Sequence, residues 1–250
     1  MTPKELIVFD LDGTLAPSKA PMRPDMSKAL AALLAKKKVA VIGGGSYEQF
    51  SRQFVGRLKV PKALLPNLFL FPTTSTSFYR YRNGWKKVYR KVLKATEKKR
   101  IMAAFDEAFA KTGYRHPKKH WGPIIEDRDS QITFSALGQA APIPAKEAWN
   151  KKSDVRPALM RIMQRHLPDF EVRRGGLTSI DVTRKGIDKA FGVRQIKKVL
   201  KIPIANMLFV GDALYPGGND YAAKKTGIDC IPVKDPSDTK KVIKRILTAR

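Results

Sequence analysis

With 250 residues, the chain has room for one large domain, or for a core with a smaller one inserted, and either would bury a sizeable apolar interior. Hydrophobic residues make up 43% and aromatic residues 9%, which is ordinary globular material, and no apolar run approaches the roughly 20 residues that span a bilayer. The 49 basic residues against 22 acidic ones give a net charge of +27, a field that attracts phosphates and polyanions; its spread over the whole length also fits a general solubility bias, so a nucleic-acid partner is not expected.

The opening MTPKEL runs into an apolar stretch without the apolar region of a signal peptide. Cys230 is the sole cysteine, which excludes an internal disulfide and a cysteine zinc cluster. A cytoplasmic protein with no membrane partner is expected. LIVF at 6–9 reads as a buried strand. A helix near 25–37 follows, with Met26, Leu30, Leu33 and Leu34 on one face, and then a strand VAVI at 39–42. A helix over 46–58 (Phe50, Phe54, Leu58) and a strand LFLF at 68–71 continue the strand-helix-strand rhythm of a parallel sheet. FYRYRNGWKKVYR at 78–90 reads as a hairpin about Asn83-Gly84 in preference to a nucleotide-stacking platform.

Between 82 and 184 the texture changes to a long helix near 95–111, an alternating QITFSAL, a proline-bearing loop AAPIPAKEAW, a helix near 154–166 and a strand pair in FEVRRGGLTSIDV. Trp121 and Trp149 read as packing residues, and His116, His120 and His166 as surface ones. The first texture then returns: a helix at 188–200, strands MLFV at 207–210 and CIPV at 230–233 (with Cys230 as a core position), and a helix near 238–248. The expected fold is α/β, a doubly wound, mostly parallel Rossmann-like core made of 1–81 and 185–250. An α+β cap, 82–184, is inserted in it, with hinges near 80 and 185.

Four motifs fall at expected strand ends, where open α/β sheets bind ligands. LIVFDLDGTL delivers Asp10 and Asp12, followed by Thr14. Like charges this close resist burial unless a metal or a metal-held anion stabilises them. One carboxylate can attack phosphorus and the other can move the proton. Gly43, Gly44, Gly45 and Ser46 open a helix, either as a phosphate cradle or as a turn with a serine cap. Lys189 stands at a helix start, against the dipole preference, and so points to an anionic partner. VGDALYPGGND carries Asp212, Asn219 and Asp220, oxygen ligands suited to Mg2+.

In this order the motifs resemble the haloacid dehalogenase superfamily. The insertion closing with GGLTSIDV and followed by KGIDK resembles its class IIB members, among them eukaryotic-type phosphomannomutases. The resemblance implies Asp10 as nucleophile and Asp12 as general acid/base, with Thr14, Gly44, Gly45, Ser46 and Lys189 around the phosphoryl group. It implies Mg2+ held by Asp10, the Asp12 carbonyl and Asp212, with Asn219 and Asp220 in support, and dimerisation through the cap. In the cap it implies substrate contacts from Arg128, Ser179 and Asp181.

Three departures from the mutase pattern point to hydrolysis of a small sugar phosphate instead of isomerisation. Gln139 stands where a second cap arginine is expected, so the bidentate charged contact to a distal phosphate is lost. The segment APSKAPM lacks an arginine, with Lys19 as the nearest substitute, and Tyr47 replaces an aspartate. The mutase is the alternative. A non-enzymatic polyanion-binding module is a third reading, and it leaves four clustered aspartates unexplained.

Overall fold

The computed structural model describes residues 4–18 and 20–248, and every statement below concerns those residues; Lys19 lies outside them. The chain begins with β1 (Leu6–Asp10), α1 (Pro24–Leu34), β2 (Lys38–Ile42), α2 (Tyr47–Gln53), β3 (Leu68–Phe71), a single turn α3 (Pro72–Ser75), β4 (Ser77–Tyr81) and β5 (Trp85–Arg90). The middle holds α4 (Ala95–Thr112), β6 (Ile125–Asp127), β7 (Gln131–Ser135), α5 (Ile143–Lys152), α6 (Arg156–His166), β8 (Phe170–Gly175) and β9 (Ser179–Arg184). The last part adds α7 (Lys189–Leu200), β10 (Met207–Gly211), α8 (Tyr221–Lys224), β11 (Asp229–Pro232) and α9 (Pro236–Thr248).

Two compact units result, one built from residues up to Arg90 together with those from Ile187 onward, the other from Lys91–Gly186. The first is a seven-stranded sheet in the order β11-β10-β1-β2-β3-β4-β5. The five strands from β11 to β3 run parallel, and β4 and β5 are antiparallel additions. β1 is buried at every residue because both of its faces are covered. Ile7, Phe9, Val39, Val41 and Leu70 pack with α1, α2 and α9 on one side, and Leu6, Val8, Ile42, Phe71 and Phe209 with α7 on the other. This is why the parallel strands read as unbroken apolar runs.

The second unit is a four-stranded antiparallel sheet, β6-β7-β9-β8. Ile132, Phe134, Ile180 and Val182 pack against Ile101, Phe105, Leu159 and Met163 of α4 and α6. The alternate residues Gln131, Thr133, Ser135, Ser179 and Asp181 give the sheet a polar face.

Several elements differ from the sequence expectation. AAPIPAKEAW contains helix α5, because Pro144 falls in the first helical turn, where a missing N–H costs nothing. α1 stops at Leu34, and α2 stops at Gln53 before a separate 3-10 turn, Val55–Arg57. The Asn83-Gly84 hairpin pairs back onto β3, so β5 belongs to the core sheet and the boundary falls after Arg90, not at 82. Arg80 lies inside β4, so there is no linker to flex at 80. Cys230 is half-buried on the edge strand β11, with burial pushing its thiol up to about 11, which leaves it no nucleophile. No helix is long and apolar enough to cross a membrane.

Glu97 ties the start of α4 to β9. It accepts from the Lys94 amide at 2.5 Å, completing a capping box, and from Arg184 at 2.6 and 2.8 Å. The Arg184 hydrogen bond holds its carboxyl down at about 2, against an ordinary value of 4.5. A depressed carboxylate stabilises the folded state above its unfolded value and loses that contribution as pH falls through the folded one. Glu97→Ala is therefore expected to lower the melting temperature at neutral pH, with the gap to the parent closing between about pH 4.5 and 2. Thermal unfolding at several pH values measures it; a gap independent of pH would remove the ion pair as its cause.

Candidate active site

The sheet register assembles the site. Asp10, the last residue of β1, lies opposite Ile42 at the end of β2, and Phe9 lies opposite Val210 near the end of β10. The DGT turn, the glycine loop and the GDALYPGGND loop therefore leave three adjacent strands at one edge. Gly13 has φ +87°, and a Cβ there would run into the Asp212 carboxylate, so the turn admits only glycine.

Asp10, Asp212 and Asp220 each offer an oxygen within 4.8 Å of the others. Asp10 and Asp220 are buried, and the Lys189 ammonium enters between them. It hydrogen-bonds Asp10, lies 3.3 Å from Asp220 Oδ1 and donates to the Ile42 carbonyl at 3.2 Å. The lysine at the helix start thus has its anionic partners. Burial pushes the Asp10 carboxyl well above its ordinary value; Lys189 opposes this, and Asp220 and Asp212 add to it. Burial alone would lower Lys189, but the Coulombic pull of Asp10 and Asp220 outweighs it and keeps the ammonium protonated. Asp212 is also raised, by burial first and then by Asp220.

Three carboxylates against one ammonium leave an excess of two negative charges in a largely buried place. Asp220 Oδ1 accepts no hydrogen bond, while its Oδ2 accepts from the Ala213 amide at 3.2 Å. Hard oxygen donors and an excess of two charges fit a divalent cation such as Mg2+. Asn219 is exposed and makes no side-chain hydrogen bond that ties it to the three aspartates.

The other expected residues divide. Thr14 is fully buried, and its hydroxyl bridges to Asp212, donating to Oδ1 at 3.1 Å and accepting from the Asp212 amide at 3.1 Å. It therefore fixes the Asp212 carboxylate from the DGT turn. Ser46 Oγ accepts from the Gln49 amide at 3.3 Å and so caps α2, the plainer of its two readings. In the second unit, Thr133 donates to Asp181 at 2.8 Å, Ser179 shares a hydrogen bond with Ser135 at 2.8 Å, and Gln139 Nε2 donates to Ser135. Arg128 pairs with Glu126 at 2.6 Å. Ser179 and Gln139 thus meet at Ser135, while Asp181 belongs to a separate pair with Thr133 on the same sheet face.

Two residues escaped the sequence reading. Gln53, buried at the end of α2, donates to Asp12 Oδ1 at 2.7 Å and so orients the second carboxylate. Lys146 on α5 is 5% exposed, and its ammonium donates to the Gln139 carbonyl at 2.8 Å. Buried lysines are rare enough to have been a signal, but burial is not visible in a chain so rich in lysine.

A third feature is the turn α3. Thr73, Thr74 and Ser75 have φ of 48°, 52° and 67°, three consecutive left-handed residues with side chains, each costing roughly 1–2 kcal/mol. The turn leaves β3 beside the glycine loop. Thr73 N–H donates to the Gly45 carbonyl at 2.8 Å and Thr74 N–H to the Gly43 carbonyl at 2.9 Å.

The model of the family described as "Eukaryotic phosphomannomutase" matches residues 26–249. A phosphomannomutase of Encephalitozoon cuniculi is 29% identical over 98% of this chain and 94% of its own, and one of Saccharomyces cerevisiae is 26% identical over 96% and 93%. Among solved structures, a Plasmodium falciparum IMP-nucleotidase mutant superposes with TM-score 0.74 at 19% identity, covering 98% of this chain and 66% of that longer one. A trehalose-6-phosphate phosphatase of Aspergillus fumigatus gives 0.57 at 17%, covering 99% and 94%; these two likenesses are of fold. With Asp10, the Lys189 ammonium and the three-aspartate cluster on one sheet edge, the chain is an enzyme of the haloacid dehalogenase superfamily and belongs to its eukaryotic phosphomannomutase family.

Proposed function

We propose that the protein is a phosphosugar mutase, moving a phosphoryl group between two hydroxyls of a hexose phosphate through an aspartyl phosphate on Asp10. Asp10 attacks phosphorus in line as the P–O bond to the sugar breaks, and Asp12, aimed by Gln53, gives the leaving oxygen its proton. In the return step Asp12 takes the proton of a sugar hydroxyl while that oxygen attacks the phosphoryl on Asp10. Lys189 stays protonated and balances charge beside the reacting carboxylate. Asp10, Asp212 and Asp220, with the Asp12 carbonyl and Asn219 in support, would hold Mg2+, which would supply electrostatic stabilisation of the phosphoryl oxygens.

The observation that carries the mutase reading over hydrolysis is Lys146. Gln139 argued for loss of the cation that a second phosphate needs, yet a buried ammonium lies 2.8 Å from the Gln139 carbonyl. Arg128, Lys146, Ser179 and Asp181 are proposed to hold the sugar and its distal phosphate. Near full-length similarity to phosphomannomutases supports the same reading. Hydrolysis is the second reading, favoured by Gln139 itself and by Tyr47, whose ring stacks on Tyr79 at 3.9 Å where a charged residue was expected. A cytoplasmic location and dimerisation through the inserted unit belong to the proposal.

The test incubates the protein with Mg2+, mannose 1-phosphate and glucose 1,6-bisphosphate and follows mannose 6-phosphate and free phosphate together. Mannose 6-phosphate as the main product, with Lys146→Met lowering it at least tenfold, is expected. Free phosphate as the main product would replace isomerisation by hydrolysis.

A further inference from the structure

We infer that the left-handed turn Thr73–Ser75 is a positioning device that aims two backbone amides of the glycine loop, those of Gly44 and Ser46, at the phosphoryl group. The inference rests on the proposed reaction at Asp10 and deepens it. Its basis is the geometry of the trans peptide, in which the carbonyl of one residue and the N–H of the next point in opposite directions. Thr74 N–H takes the Gly43 carbonyl at 2.9 Å and Thr73 N–H takes the Gly45 carbonyl at 2.8 Å. The amides of Gly44 and Ser46 are thereby turned away from α3.

The register fixes where the loop stands. Ile42, the residue before the loop, lies opposite Asp10, and its carbonyl accepts from Lys189 at 3.2 Å. Gly43 N–H is itself held by the Phe71 carbonyl at 3.3 Å, so the loop is fastened to β3 at its start and to α3 further on. Along this left-handed path two successive amides, those of Thr73 and Thr74, reach alternate carbonyls of the same loop. Strain retained in such a place is a pointer to function.

The surroundings hold the turn in that state. Thr76 Oγ1 donates towards the Thr73 carbonyl and hydroxyl, 2.7 Å from each, and Tyr89 OH donates to the Ser75 carbonyl at 3.0 Å. Ser75 is fully buried against α7, the helix that carries Lys189. A Cβ on Gly192 would come within 2.6 Å of Ser75 Oγ, so only glycine lets helix and turn approach this closely. One turn thus touches both the loop and the lysine helix.

The test uses beryllium trifluoride, which adds to a carboxylate as a mimic of aspartyl phosphate, on the 15N-labelled wild-type protein with Mg2+. Large downfield shifts of the Gly44 and Ser46 amide protons on loading are expected, with Thr73 and Thr74 amides protected from exchange before and after. A second arm replaces the Thr74 amide by an ester, using nonsense suppression with the α-hydroxy analogue of threonine. This removes the Thr74 donor and no side chain, and weakens the Thr73 carbonyl as acceptor from Thr76; trifluoroberyllate affinity should fall about tenfold while the Mg2+-induced rise in melting temperature is kept. Thr74→Gly keeps its amide donor and the Thr73 hydroxyl that Thr76 bonds, accepts the left-handed path without strain, and should bind within about threefold of the parent. Trifluoroberyllate bound with Gly44 and Ser46 unshifted, or an ester variant binding as the parent does, overturns the inference. Failure of the parent to bind it at all overturns the reading of Asp10 instead.

Discussion

Asp10→Asn is expected to lower phosphoryl transfer by on the order of 10^4-fold or more, because a carboxamide keeps the shape of the side chain and cannot form the acyl phosphate. The fold should survive. Lys189 retains Asp220 at 3.3 Å and the Ile42 carbonyl at 3.2 Å, and one of three mutually repelling carboxylates has lost its charge. Intact-mass spectrometry after mixing with glucose 1,6-bisphosphate and Mg2+ should find one added phosphoryl group on the parent and none on the variant. Turnover by the variant at the parental rate would remove Asp10 as the nucleophile.

Lys189→Met should have the largest effect on stability. Methionine matches the volume of lysine but leaves Asp10 and Asp220 buried without their ammonium. Breaking one side of a buried pair costs about 3–5 kcal/mol, so the metal-free variant should melt well below the parent. Added Mg2+ is expected to recover part of this loss and to raise the melting temperature more in the variant than in the parent, since the cradle now has less competing positive charge. Calorimetric or fluorescence melts across a Mg2+ titration decide it. An equal Mg2+ response in the two proteins would mean that the three aspartates do not bind the ion.

The residues legible in the sequence are those that conflict with their surroundings. Two aspartates at the end of LIVF, and another after MLFV, contradict burial and so announce a site; the structure brings Asp10, Asp212 and Asp220 together with Lys189. The alternating apolar runs gave the parallel strands for the same reason, since each is covered on both faces. What stayed hidden depends on partners distant in sequence. Gln53 is one more polar residue on a helix until Asp12 is seen 2.7 Å away, and Lys146 is one of many lysines until its burial is known. Helix α5 was concealed by prolines that also mark loops. The end of the core unit is not legible because β4 and β5 turn antiparallel and break the strand-helix rhythm of the parallel strands.

The pairing of β1 with both β2 and β10 has a consequence for how the molecule comes into being. Leu6 meets Lys38 early in synthesis but meets Met207 only after the whole inserted unit has been made, and Asp10 waits equally long for Lys189, Asp212 and Asp220. The inserted unit is one unbroken stretch, Lys91–Gly186, with its own apolar centre, so it can fold as it leaves the ribosome. The first unit cannot close until the end of the chain arrives, and until then the β10 side of β1 stays open. Late, long-range parallel pairing is slow and exposes apolar strand edges. Yield in cells should therefore be limited by the first unit, and a ribosome stalled before β10 would carry a finished insertion and no catalytic centre.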